Sequence, residues 1–320
     1  MSYPSTAQAI TISKTGGPEV IEKREIPFSK AAPSHLVVKA SVQMPQASRG
    51  AQLIVQQKDY TSLWISHSRC TPTDESVLND PDYKKRGYKE GSPRLQSLRI
   101  TGFACGIRFC TWKTVYVIPE SVSTLTAVSA LVQGLTAISF MEESYNVQKG
   151  DIILIHTVAG GLGLLMTQLA KSRGATKKLA LAKANGTDHV ILYKSEDTVA
   201  RVLELTNGEV FMQSLMVFES DLVMIRRKGT LVSVGNASGP VPPFAPSNSC
   251  KKTYPSMNNY TYTPAEALHY GNALFSLLAN GTLKTQVFKE YPFTTEGVKQ
   301  AQIDLTSGKS TGKLVVKVND

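Results

Sequence analysis

An apolar tetrapeptide, Ile152-Ile153-Leu154-Ile155, runs into the turn His156-Thr157-Val158-Ala159-Gly160-Gly161-Leu162-Gly163. That turn opens directly into an amphipathic segment from Leu164 to Arg173, followed by Gly174. A short apolar run bounded by glycine fits a strand buried on both faces. A strand, a glycine-rich turn and a helix in succession form the first half of a parallel crossover. The turn then lies at the carboxyl edge of the sheet, where the helix offers free N–H groups and the positive end of its dipole to a phosphate. Glycine is required because a Cβ would block close approach of a pyrophosphate. The same glycines would also serve a plain tight turn.

The chain beyond the turn keeps this rhythm. Helices are predicted over Lys178–Asn185, Glu196–Leu205, Asp221–Arg227, Pro264–Ala279 and Gly297–Thr306. Strands are predicted over His189–Leu192, Gly229–Gly235 and Lys313–Val318. Ahead of the turn, Ser123 and Thr126 begin a mostly apolar run to Phe140, read as one long helix or a pair interrupted at Gly134. Strands alternating with helices predict a doubly wound parallel sheet. The opening reads differently. Ala9–Ile12, Leu36–Val42, Gly102–Phe109 and Thr114–Ile118 have β texture, while residues 43–100 show no sustained period of 2 or 3.6.

Charge narrows the cofactor. A dinucleotide without a 2′-phosphate wants a carboxylate about 20 residues past the turn. From Leu164 to Thr187 there is no Asp or Glu, but there are Lys171, Arg173, Lys177, Lys178 and Lys183. That pattern fits NADPH; the lysines would equally suit an exposed helix face. The net charge of +10 is spread evenly, 17 Lys+Arg against 12 Asp+Glu in residues 1–150 and 18 against 13 in 151–320. No basic domain or tail marks a nucleic-acid partner. With 42% hydrophobic and 19% charged residues the chain is globular rather than disordered. Four cysteines, Cys70, Cys105, Cys110 and Cys250, are too few for a disulfide scaffold. Cys105 and Cys110 have the spacing of one ligand pair of a zinc site, but no second pair follows, and no metal is expected. No continuous apolar stretch approaches the ~18 residues that span a bilayer. With no secretory signal pattern at the N-terminus, the expected location is the cytoplasm.

Several segments together resemble one family. They are Lys14-Thr-Gly-Gly-Pro-Glu-Val20, Leu131-Val-Gln-Gly-Leu-Thr-Ala137, Lys149-Gly-Asp-Ile-Ile-Leu-Ile-His156 with its glycine turn, Arg227–Pro240, and Gly308-Lys-Ser-Thr-Gly-Lys-Leu-Val315. The chain is similar to the zeta-crystallin-type NADPH:quinone oxidoreductases, zinc-free members of the medium-chain dehydrogenase/reductase superfamily. The resemblance implies a Rossmann-type NADP-binding domain, residues 123–282, inserted into a GroES-like β domain, residues 1–122 plus 283–320. It implies hydride transfer from NADPH to a quinone or activated alkene, and a homodimer. Carried over by motif, the cofactor residues are Thr136, Gly160, Gly161, Leu162, Gly163, Lys178, Tyr193, Val234, Gly235, Asn236, Ala237, Ser256 and Lys313, with Pro255 and Met257 beside Ser256. No catalytic side chain is assigned.

The resemblance breaks off abruptly at 43–100, 175–177, 210–218 and 245–252. Ala175-Thr176-Lys177 is too short for the strand the family has there, so the fold is expected to be degenerate, missing a sheet strand. Such switches suggest frame-shifted or unspliced stretches. Two alternatives therefore stand beside the active reductase: a non-catalytic NADPH- or RNA-binding relative, and an inactive product of a damaged gene or gene model.

Overall fold

In the computed structural model the described residues are 5–12, 17–27, 35–44, 61–62, 64–72, 75–86, 94–96, 99–100, 107–112, 115–156, 158–175, 177–180, 187–192, 195–214, 222–233, 251–253, 255–307 and 309–318. The chain divides into two compact units. One comprises Met1–Val132, Thr263–Phe275 and Gln286–Asp320; the other comprises Gln133–Tyr262 and Ser276–Thr285.

The first unit is mostly β. Its strands are β1 (Thr6–Ile12), β2 (Ile21–Pro27), β3 (His35–Met44), β4 (Thr61–Ser62), β5 (Trp64–Pro72), β6 (Arg94–Gln96), β7 (Arg99–Ile100), β8 (Ile107–Thr111) and β9 (Val115–Val117). Two late strands, β16 (Val287–Pro292) and β17 (Lys313–Lys317), join them. The main sheet runs β16-β17-β3-β5-β6-β9, with β8 also paired to β3. Ile10, Ile21, Tyr291, Val298 and Leu314 form part of its core. The segment 43–100 is not without structure, contrary to the sequence reading. Nine residues of it form β5, and two short helices follow, α1 (Glu75–Asn79) and α2 (Pro81–Lys85). Both edges of β3 carry backbone donors and acceptors that need partners, so β5 and β8 pair there despite weak local patterning.

The second unit carries the sheet that the glycine turn predicts. Its strands are β10 (Ile152–Ile155), β11 (Lys177–Ala180), β12 (His189–Val190), β13 (Val210–Ser214), β14 (Ile225–Val232) and β15 (Lys251–Thr253). They pair in the order β12-β11-β10-β13-β14-β15, every pair parallel. This is the doubly wound order in which the first strand lies at the centre and the winding reverses beside it. Ile153, Leu154 and Ile155 are fully buried, as a central parallel strand requires. Leu154 packs with Ile191, Val202, Val210 and Met224.

The helices are α3 (Thr124–Ser139), α4 (Gly161–Ser172), α5 (Thr198–Thr206), α6 (Met257–Tyr260), α7 (Pro264–Ala279) and α8 (Thr295–Thr306). Helix α3 passes through Gly134 unbroken and ends in a wider turn over Phe140–Ser144. Helix α4 ends where expected: Gly174 is left-handed at φ +76°, and the Ala175 N–H donates to the Ala170 carbonyl at 3.1 Å.

Three sequence expectations are corrected here. Lys178 does not open a helix; Lys177–Ala180 is strand β11, level with β10 from Ile152 to Ile155. Lys, Leu and Ala favour helix locally, but β10 and β12 each present an unpaired edge that this segment satisfies. The sheet strand thought missing is therefore present, although it starts only at Lys177. Val210–Ser214, where family likeness fails, is the strand beside β10. Ile225–Arg227 belong to β14 rather than to a helix. The helical run Thr124–Ser144 is long and apolar enough to cross a membrane, although Ser, Thr and Gln punctuate it so that no continuous apolar stretch is that long. About two thirds of its most apolar 18 residues are buried inside the protein, as in a core helix.

Candidate active site

The site is built on the carboxyl edge of β10. His156 and Val158 are buried there, so the chain leaves the sheet with its side chains held by the core. Gly160 is the residue before α4, extended at φ −79° and ψ 161°, with no capping side chain. The first helical bond runs from the Leu164 N–H to the Gly160 carbonyl at 3.0 Å. No acidic residue lies in the first turn of α4. Gly161, Leu162 and Gly163 thus present the N–H end of a helix dipole without a carboxylate of their own to neutralise it. Thr167 turns inward, donating to the Gly163 carbonyl at 2.8 Å, which keeps that buried hydroxyl satisfied. A pyrophosphate fits this end: donors are supplied, a Cβ is absent at three of four positions, and no anion competes.

Helix α4 is fastened to α3 at the far end. Arg173 donates to the Met141 carbonyl and to the Glu142 carboxylate, both at 2.6 Å. Thr136 sits half-buried on α3, where its carbonyl accepts from Ser139 Oγ at 3.4 Å. Three residues before it, Gln133 carries a buried Oε1 with no hydrogen-bond donor among the described residues. The sequence reading passed over Gln133, although a long amide in an apolar helix, one turn from a named site residue, was a readable signal.

The turn after β12 is closely held. The Leu192 N–H donates to Glu196 Oε1 at 2.7 Å, and the Leu192 carbonyl accepts from the N–H groups of Ser195 and Glu196 at 2.8 and 2.9 Å. Tyr193, next in the sequence, lies outside the described residues, as do Val234, Gly235, Asn236 and Ala237. Lys178 lies in β11 opposite Ile153, two residues short of the level where β10 ends. Its position is thus mid-strand. Ser256 is exposed at the start of α6 and caps nothing with its side chain. Within the same unit, the Tyr260 ring meets Phe140 edge-on and its hydroxyl lies 3.3 Å from Ser144 Oγ. Lys313 lies in the other unit, at the start of β17, pinned by its N–H to the Gln286 carbonyl at 2.7 Å. Burial pushes its ammonium down to about 7.

A quinone oxidoreductase from Salmonella typhimurium is 32% identical over 96% of this chain and 98% of its own length. The chain belongs to the zinc-free quinone oxidoreductases. The family described as zinc-binding dehydrogenase matches residues 185–316 of this quinone oxidoreductase homologue. The solved Escherichia coli quinone oxidoreductase, complexed with NADPH, shares its fold at a TM-score of 0.84 and 24% identity, over 97% of this chain and all of that one. A mycobacterial protein solved with NADPH is 26% identical at a TM-score of 0.81, over 97% of this chain and 99% of that one. The two sheets are thus the GroES-like and Rossmann-type parts of the medium-chain dehydrogenase/reductase fold.

Proposed function

We propose that this chain is an NADPH-dependent reductase that delivers hydride to a quinone or an activated alkene. The observation that carries the reading is the uncapped glycine turn at the point where the sheet's winding reverses, the crevice in which doubly wound sheets bind dinucleotides. The choice of NADPH over NADH rests on the absence of any carboxylate from Leu164 to Thr187. NADPH supplies the hydride when bound. Gly160 to Gly163 hold the pyrophosphate, and Thr136 stands on the neighbouring helix of the same unit. The carried-over residues of that unit, Lys178, Tyr193, Val234 to Ala237 and Ser256, complete its set of cofactor contacts in this reading. The chain's contribution is positioning: it brings two reactants together in a fixed geometry, so no side chain need form a covalent intermediate. Presence of β11 and β13 in the sheet supports an intact cofactor domain over a damaged one. The domain division proposed is the family's, a nucleotide domain over 123–282 within a β domain formed by the two ends. A homodimer is proposed with it.

Titration of the purified chain with NADPH and NADH, read by cofactor fluorescence, tests the reading. NADPH is expected to bind at least tenfold more tightly. A folded protein that binds neither cofactor contradicts the proposal. Tight NADPH binding without any turnover would favour the non-catalytic alternative.

A further inference from the structure

Polar side chains at the two ends of α3 are satisfied close to home. Ser123 Oγ accepts from the Thr126 N–H at 3.1 Å, and Ser139 Oγ donates to the Leu135 carbonyl at 2.8 Å. Gln133 differs: its buried Oε1 meets no donor among the described residues. Ser129 Oγ, four residues earlier, is buried in the same condition. Ser129, Gln133 and Thr136 follow the spacing i, i+4, i+7, which lays them along one stripe of the helix. A buried acceptor left without a donor carries its full desolvation cost and calls for a partner.

The fastening of α3 to α4 locates Gln133 along the sheet. Helix α4 starts at the carboxyl end of β10, whereas α3 ends near its amino end, joined to it through Val147 to Asp151. Both helices therefore run from the carboxyl edge towards the amino edge. Arg173 and Met141 meet at 2.6 Å. Counting back eight residues from each, about 12 Å at 1.5 Å per residue, brings Gln133 level with Leu165, on the first turns of α4. Gln133 thus stands about one helical turn below the glycine turn, in the same unit.

A dinucleotide offers few donors to such an oxygen. Its pyrophosphate has only acceptors and is served by the helix N–H groups. Its nicotinamide end offers the ribose hydroxyls and the carboxamide N–H2. We propose that Gln133 is a cofactor-contacting residue whose Oε1 accepts a hydrogen bond from the nicotinamide carboxamide. The contact fixes the edge and face of the ring presented to the hydride acceptor. This rests on the NADPH reading given above. It adds to Thr136 a second contact from the same helix and makes Gln133 a determinant of nicotinamide orientation rather than of general affinity.

Calorimetric titration tests this with three ligands: NADPH, its reduced 3-acetylpyridine analogue, and 2′,5′-ADP. The analogue replaces the amide nitrogen by methyl and keeps both riboses; 2′,5′-ADP lacks the nicotinamide half. Wild-type protein is expected to bind NADPH about five- to tenfold more tightly than the analogue. Gln133→Met, close in length and unable to accept, is expected to lose that preference while binding 2′,5′-ADP as wild type does. Equal affinity of wild-type protein for NADPH and the analogue overturns the proposal without need of a variant. Equal weakening of NADPH and 2′,5′-ADP by Gln133→Met overturns it too, because that is the mark of a packing role. Binding of NADPH and 2′,5′-ADP by the wild-type protein beside either failure leaves the NADPH reading standing; absence of binding of both by the wild-type protein overturns both.

Discussion

Arg173 donates to the Met141 carbonyl at 2.6 Å, tying the last turn of α4 to the end of α3. The same guanidinium holds the Glu142 carboxylate, with side-chain exposures of 20% and 33%. The helix that carries the glycine turn and the helix that carries Thr136 are therefore set in axial register by one partly buried cation. Arg173→Ala is expected to destabilise the protein by about 2 kcal/mol, since it removes two charge-assisted hydrogen bonds between the helices. Thermal unfolding measures this directly. NADPH affinity should fall with it, whereas Glu142→Gln, which keeps the Met141 bond, should cost clearly less.

A carboxylate placed in the first turn of α4 separates fold from function. Gly161→Asp adds negative charge to the end of a helix that has none there. The dipole favours it, so stability should change by no more than about 1 kcal/mol. The same charge stands where the pyrophosphate must lie, so NADPH affinity should fall at least tenfold. Melting temperature and titration on one preparation show both effects.

Strand β11 is the element that the sequence reading denied, and it is open to direct test. Leu179 pairs with Leu154 on one side and His189 on the other. Leu179→Pro removes a ladder donor from a strand flanked on both sides and should cost about 3 kcal/mol or more. Amide exchange of wild-type protein should show Leu179 protected to a degree comparable with Leu154. Free exchange at Leu179 would mean that the strand does not form in solution.

Lys313 imposes a pH dependence of defined sign. Burial holds its ammonium at about 7 in the folded state, well below the ordinary lysine value. Between pH 7 and about 10 the unfolded chain binds the proton that the folded chain has lost, so this group makes stability rise with pH across that window. Lys313→Met should therefore be more stable than wild type, most of all at neutral pH and below. Its advantage should shrink as pH climbs towards 10. Parallel melts at several pH values would show this convergence.

What the sequence disclosed depended on whether the physics was local. The glycine turn and helices α4, α7 and α8 carry their signals in neighbouring residues, and the structure places them as read. Strand β11 carries no such signal. Lys178, Leu179 and Ala180 read as helix until β10 and β12 stand on either side. Strand β5 is similar, since its pairing with β3 and β6 spans distant parts of the chain. Val210–Ser214 joined the sheet where motif likeness had failed, because a parallel strand needs a backbone ladder and apolar bulk rather than a motif. Gln133 stands between the two: a long amide in an apolar helix is legible in the sequence, but its orphaned acceptor shows itself only once its surroundings are assembled.

The most direct test of the account is quinone-dependent oxidation of NADPH by the purified chain, followed by loss of the reduced cofactor's absorbance, with NADH in parallel. The account predicts turnover that needs both protein and quinone, with kcat/KM for NADPH at least tenfold above that for NADH. A cooperatively folding protein that binds NADPH yet leaves it unoxidised with quinones and with activated alkenes would contradict the assignment of reductase activity.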